Sequence, residues 1–170
     1  MSVIRAARLS DAKNLAELAE VTFRDTFSEQ NTPENMDAHC QSSYAEEIQA
    51  REISNPEYAT IVAETDDKLV AYAQLRWGNP PGCVSANYPG EIQRLYVDKD
   101  FHGKGLAHEL MSECLNILNE RHADIAWLGV WENNPRAIAF YKKFNFQEVG
   151  DHIFSLGSDP QRDIILVRPV

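Results

Sequence analysis

The stretch Glu91 to Ala107, EIQRLYVDKDFHGKGLA, constrains this chain more than any other. Ile92, Leu95, Tyr96 and Val97 supply the bulk of a short half-buried strand over residues 91–97, and the polar run Asp98-Lys99-Asp100 ends it. Gly103 and Gly105 then open a segment of helical periodicity. Leu106, Ala107, Leu110, Met111, Cys114, Leu115, Ile117 and Leu118 share one face, opposite His108, Glu109, Ser112, Glu113 and Asn116. A helix start gathers unpaired N–H groups and the positive end of the helix dipole at one point, which suits an anionic phosphate. The segment 125–130, IAWLGV, is nearly all apolar, as a parallel strand covered on both faces would be. Strand, helix and strand in this order predict a right-handed crossover with an anion cradle at its first turn.

Spacing decides which anion. The phosphate loop of nucleotide hydrolases requires Gly, four residues, then Gly-Lys-Ser/Thr, and Gly105 is followed by Leu106 and Ala107. A dinucleotide fingerprint would need a third glycine at position 108, which is His. The remaining pattern, His102-Gly103-Lys104-Gly105-Leu106-Ala107, resembles the pyrophosphate loop of the GCN5-related N-acetyltransferases, Gln/Arg-x-x-Gly-x-Gly/Ala, with His102 departing from the usual first residue. A second stretch is similar to the same family: Asn134-x-x-Ala137, then Phe140-Tyr141 and, past two lysines, Phe144-Asn145-Phe146, with Asn145 where Gly is usual. A narrower likeness, to the PaiA-type spermidine/spermine N-acetyltransferases, is carried by TFRDTFSEQNTPENM, WLGVWE at 127–132 and AIAFYKKFNF.

At 170 residues the chain is long enough for one buried domain spanning 1–170 and too short to expect two. It has 26 acidic and 16 basic residues, a formal charge of −10. That argues against a nucleic-acid partner, which needs a Lys/Arg patch, and creates a field that attracts cations. No apolar run is long enough for a membrane helix and the N-terminus lacks a signal peptide's core, so a cytoplasmic protein with no membrane partner is expected. Cys40, Cys83 and Cys114 are odd in number and unrelated in spacing, so no metal site is expected. A homodimer is left open.

Along the rest of the chain, Val3 to Ala6 reads as a strand, and Ser10 caps a helix bearing Leu15, Leu18, Phe23 and Phe27. Thr32-Pro33 starts a second helix with Met36, Cys40, Tyr44 and Ile48 at intervals of four. Residues 22–35 between them mix polar and aromatic groups, as a loop over a ligand mouth or a solvated connector would. Residues 58–64 and 68–77 flank Thr65-Asp66-Asp67 as a hairpin, and 78–90 is a Pro/Gly loop. Asn134-Pro135 opens a last helix, which Asn145 ends in a left-handed conformation. Residues 146–152 and 163–167 close the fold as strands around a polar loop, SLGSDPQRD.

The resemblance implies a mixed α/β fold: a mostly antiparallel, twisted sheet of about seven strands with one parallel, splayed pair, flanked by four helices. It implies acetyl-CoA as co-substrate, its pantetheine beside Leu95, Tyr96 and Val97 and against Asn134, and its pyrophosphate on His102, Gly103, Lys104, Gly105, Leu106, Ala107 and His108. The N–H of Leu95 would stabilise the oxyanion, and Tyr141 would protonate the leaving thiolate. Glu91, Gln93, Leu95 and Val97 alternate onto one strand face, so Glu91 is the candidate base, acting through water with Gln93 orienting it. A solvated strand-entry Glu is the competing reading. Carboxylates for an amine substrate are sought in Glu29, Glu34, Asp37 and Glu132, and cation–π platforms in Trp77, Tyr88 and Trp131. The expected activity is acetyl transfer to a primary amine of spermidine or spermine. The alternatives are a protein N-terminal or lysine acetyltransferase and a non-catalytic acyl-CoA sensor.

Overall fold

Seven strands form one sheet in the order β1-β2-β3-β4-β5-β7-β6, from a computed structural model that describes all 170 residues. They are β1 (Val3–Ala6), β2 (Tyr58–Thr65), β3 (Lys68–Arg76), β4 (Pro89–Val97), β5 (Ile125–Trp131), β6 (Gln147–Leu156) and β7 (Asp159–Pro169). Every pair is antiparallel except β4 and β5, the two strands joined by the crossover helix. The α-helices are α1 (Ala12–Phe27), α2 (Pro33–Ser43), α3 (Glu46–Ser54), α4 (Leu106–Glu120) and α5 (Pro135–Lys143). No helix is long and apolar enough to cross a membrane.

Strand alternation explains why the core has two halves. On β3, Ala71, Ala73 and Leu75 turn to one face and join Ile92, Leu110, Met111, Cys114 and Leu118 beneath α4. Tyr72 turns to the other and joins Leu15, Phe23 and Phe27 of α1 with Met36 of α2. The Asp66-Asp67 turn takes φ +50° and +61°, the twist that a two-residue hairpin requires, and Asn145 ends α5 at φ +68° as expected.

Three expectations are corrected. The single helix from Thr32 through Ile48 is two, α2 and α3, because Tyr44 is buried at the break and the side-chain amide of Gln49 donates to the Ser43 carbonyl (3.0 Å) that the broken helix leaves unpaired. The polar-aromatic loop after residue 22 shrinks to Ser28–Gln30 and its neighbours, since α1 runs on through Phe27. The polar loop SLGSDPQRD is mostly strand: β6 and β7 extend to a tight turn at Gly157-Ser158. Leu156 is fully buried there, and Asn35 of α2 accepts from the N–H and hydroxyl of Ser158 (3.1 and 3.2 Å). Pro160 is tolerated because β7 at that point has β6 on one side and no strand on the other.

Candidate active site

The β4–α4 turn builds a candidate anion site from backbone alone. Gly103 and Gly105 adopt φ +74° and +80°, a region other residues enter only under strain. None of the six successive N–H groups from Gly103 to His108 finds an acceptor in the protein; the first bond of the helix runs from Glu109 N–H to the Gly105 carbonyl (3.1 Å). Six free donors at the positive end of a 15-residue helix fit a diphosphate. Lys104 lies beside them, its ammonium over the Phe101 ring at 5.0 Å.

His102 contributes differently from what its place in the motif suggests. Its Nε2 lies 2.8 Å from the Val97 carbonyl and so must donate, which leaves Nδ1 as an acceptor for Arg136 Nη1 at 3.2 Å. The imidazole thereby ties the loop to the end of β4 and holds a guanidinium from α5 nearby. Sequence reasoning missed Arg136, although it sits inside the second family stretch.

Beside the loop the sheet opens. β4 and β5 pair only where Pro89–Glu91 meets Ile125–Trp127; from Ile92 to Val97, β4 has no partner on that side. Leu95, Tyr96 and Val97 lie in this unpaired length, and α5 crosses the same face of the sheet as α4. Asn134 caps α5, its Oδ1 accepting from Ala137 N–H (3.3 Å) while its NH2 group stays free. Tyr141 packs with Phe140 and Phe146 at ring distances of 5.4 and 6.0 Å and has no hydrogen-bond partner. Burial, reinforced by Tyr96 and Cys114, raises its pKa above that of an ordinary phenol. It keeps its proton at neutral pH.

On the other face of β4 lies a cavity of about 220 Å³. Phe23 and Phe27 of α1, Tyr44, Tyr96, Trp131 and Phe154 form its aromatic walls. Gln93 and Glu91 reach it because of a β-bulge: Gln74 opposes Arg94 and Leu75 opposes Ile92, so Gln93 is an extra residue. The bulge overturns the expected alternation. Glu91 shares a face with Arg94 and Tyr96, opposite to Leu95 and Val97, which pack toward α4. Its carboxylate is engaged by Arg76 through Nε and, at 3.3 Å, through Nη2. The Oε1 of Gln93 is buried with no partner.

Other expected substrate groups stand elsewhere. Glu29 and Glu34 are exposed outside the cavity; Asp37 pairs with Arg24 (2.8 Å) and Glu132 with Arg162 (3.1 Å). Trp77 is stacked by Arg121 at 4.2 Å, and Tyr88 is exposed. Of the proposed platforms only Trp131 reaches the cavity. What the cavity holds instead is Arg94, His39, His152 and Asp163, none singled out from sequence. Arg94 pairs with Glu52 of α3 (3.2 Å). His39 stacks on Phe23 (4.3 Å), and burial, with Arg94 adding, lowers its pKa to about 4, so it is neutral. His152 Nε2 lies 3.6 Å from Asp163 Oδ2, above the bare backbone of Gly129.

Comparison with known proteins agrees with this architecture. The family model described as "Acetyltransferase (GNAT) family" matches residues 15–146. An uncharacterised N-acetyltransferase of Lactobacillus delbrueckii subsp. lactis is 29% identical over 171 residues, covering 99% of this chain and 98% of that one. The crystal structure of the PaiA N-acetyltransferase of Thermoplasma acidophilum in complex with coenzyme A superposes with a TM-score of 0.81 at 21% identity, covering 100% and 99% of the two chains. Two relatives match over shorter stretches: an N-alpha-acetyltransferase of Mycobacterium tuberculosis, 29% identical over 59% of each chain, and a probable spermine N(1)-acetyltransferase of Bacillus subtilis subsp. natto, 32% identical over 38% of this chain and 43% of its own.

Proposed function

The chain belongs to the acetyltransferase (GNAT) family and is an acetyl-CoA-dependent N-acetyltransferase, and from that premise we propose that its acceptor is a primary amine of a small polyamine, spermidine or spermine. The observation that carries this reading is the cavity on the far face of β4. About 220 Å³ is small for a ligand pocket, and it is walled by aromatic rings, so it suits an alkylammonium head and a few methylenes better than a peptide. The formal charge of −10 favours a cationic substrate over an anionic one. The partial relative named as a spermine acetyltransferase supports the same class, whereas the N-alpha-acetyltransferase relative is the reason to include peptides in any test.

Acetyl-CoA supplies an activated thioester and a thiol leaving group. The free amides from Gly103 to His108, with Lys104 and Arg136, bind the diphosphate. The unpaired length Leu95–Val97 and the free NH2 of Asn134 hold the pantetheine. The N–H of Leu95 offers a hydrogen bond to the oxyanion of the tetrahedral intermediate, a contact stronger there than to the starting carbonyl. Tyr141 hands its phenolic proton to the departing thiolate. Glu91 holds Arg76 against the cavity wall, and Gln93, pushed out by the bulge, presents its amide to the amine's approach.

A panel containing spermidine, spermine, monoamines, free lysine and peptides with unblocked N-termini, screened for CoA release, tests the proposal. Polyamines should show the highest kcat/KM. A peptide or lysine preference would replace the acceptor, and CoA binding with no turnover on any amine would favour the sensor reading.

A further inference from the structure

An ammonium must lose a proton before it can attack, because only the neutral amine carries a lone pair. Most charged groups around the cavity are already matched by close partners. Glu91 of β4 pairs with Arg76 of β3, and Arg94 of β4 with Glu52 of α3. His39 of α2 is neutral, and burial holds the phenols of Tyr44, Tyr72 and Tyr96 in their protonated forms. Arg162 of β7 turns outward to Asp151 and Glu132.

His152 of β6 and Asp163 of β7 remain. They are direct cross-strand neighbours, and Asp163 is at the same time the cross-strand neighbour of Trp131 on β5. The 3.6 Å between Nε2 and Oδ2 is too long for a hydrogen bond but close enough for charge pairing. Asp163 is mostly shielded, with 15% of its side chain exposed, while His152 keeps 39%. Gly129 leaves the space in front of them open: a Cβ there would stand 3.2 Å from Asp163 Oδ2 and 3.4 Å from His152 Nε2. Asp163 and His152 line the same cavity as Tyr96, Gln93 and Glu91 of β4.

We propose that His152 and Asp163 receive and deprotonate the acceptor amine, Asp163 binding the ammonium and His152 taking its proton. One N–H bond of the ammonium breaks and its electron pair stays on nitrogen. The proton forms a new N–H bond on the neutral imidazole, and the carboxylate of Asp163 offsets the imidazolium charge. His152, being partly exposed, then returns the proton to water. An alkylammonium and an imidazole differ by about four pK units in water. The aromatic walls narrow that gap by disfavouring the ammonium. The assignment rests on the reading of this cavity as the amine site.

The test compares wild type, His152→Gln and Asp163→Asn through pH profiles of kcat/KM with spermidine, the amine KM, and CoA affinity. His152→Gln should lower kcat/KM about a hundredfold and move the acid limb of the profile toward the amine's own pKa. Asp163→Asn should raise the amine KM about tenfold. CoA affinity should hold in both. Gly129→Ala, which fills the space in front of the pair, should raise the amine KM even if a charge variant folds poorly. A wild-type profile in His152→Gln, an unchanged amine KM in Asp163→Asn, or an unchanged KM in Gly129→Ala would each overturn the assignment while leaving polyamine acetylation standing. Peptide preference combined with loss of activity in His152→Gln would overturn the polyamine reading and leave the pair's role intact.

Discussion

The two faces of β4 are built by different physics. The α4 side offers backbone: six free amides, two glycines at positive φ and a strand edge without a partner. The α1 side offers side chains brought from α1, β4, β5, β6 and β7 to one small cavity. A shared ligand such as acetyl-CoA can be met by donors every residue possesses. An acceptor amine has to be chosen by particular groups, and those can change without disturbing the frame.

That contrast can be broken or sharpened by substitution. Tyr141→Phe removes the proposed proton donor and should lower kcat by about a hundredfold or more with CoA affinity nearly unchanged, as steady-state kinetics and calorimetry would show. An unaltered kcat would remove Tyr141 from the acid role. Gly105→Val forces a branched side chain into φ +80° and should weaken CoA binding by about tenfold to a hundredfold, leaving the amine KM little changed. Arg136→Ala should weaken CoA binding by only about threefold to tenfold, because it deletes one charge and spares the amides. A loss equal to that of Gly105→Val would mean that side chains govern this face too.

The smallest catalytic effect should come from Asp11→Asn, which lies on neither face. Arg5 donates to Asp11 (2.8 and 3.0 Å) and to Glu64 (3.0 Å), tying β1 to the start of α1 and to β2. Hydrogen bonding from Arg5 holds the Asp11 pKa below its usual value. The stabilisation is therefore complete above the unfolded pKa near 3.9 and is lost as pH falls through the lower folded value. Denaturant melts at neutral pH should show a loss of about 1–3 kcal/mol, with wild type and variant converging in acid.

What could be read from the chain follows the same division. Gly103, Gly105 and the apolar face of α4 announce the β4–α4 turn and its free amides because local spacing alone makes them. Asn145 and the Asp66-Asp67 turn were found for the same reason: left-handed backbone favours few residue types. Period-two reasoning failed at Gln93, since a bulge has no signature in a sequence of mixed polar and apolar residues. It placed Glu91 with Leu95 when the ladder puts Glu91 with Arg94. His152 and Asp163 escaped because residues 155–163 read as a loop and their proximity exists only once β6 and β7 pair. Arg136 had a signal, an Arg in the first turn of α5, but its link to His102 spans 34 residues.

The central claim is that successive main-chain donors after β4 bind the diphosphate of CoA. An amide NMR titration with CoA tests it most directly. The resonances of Gly103 to His108 should shift together and gain protection from hydrogen exchange, in wild type and in His152→Gln alike. Saturable CoA binding that leaves those six amides unmoved would contradict the account.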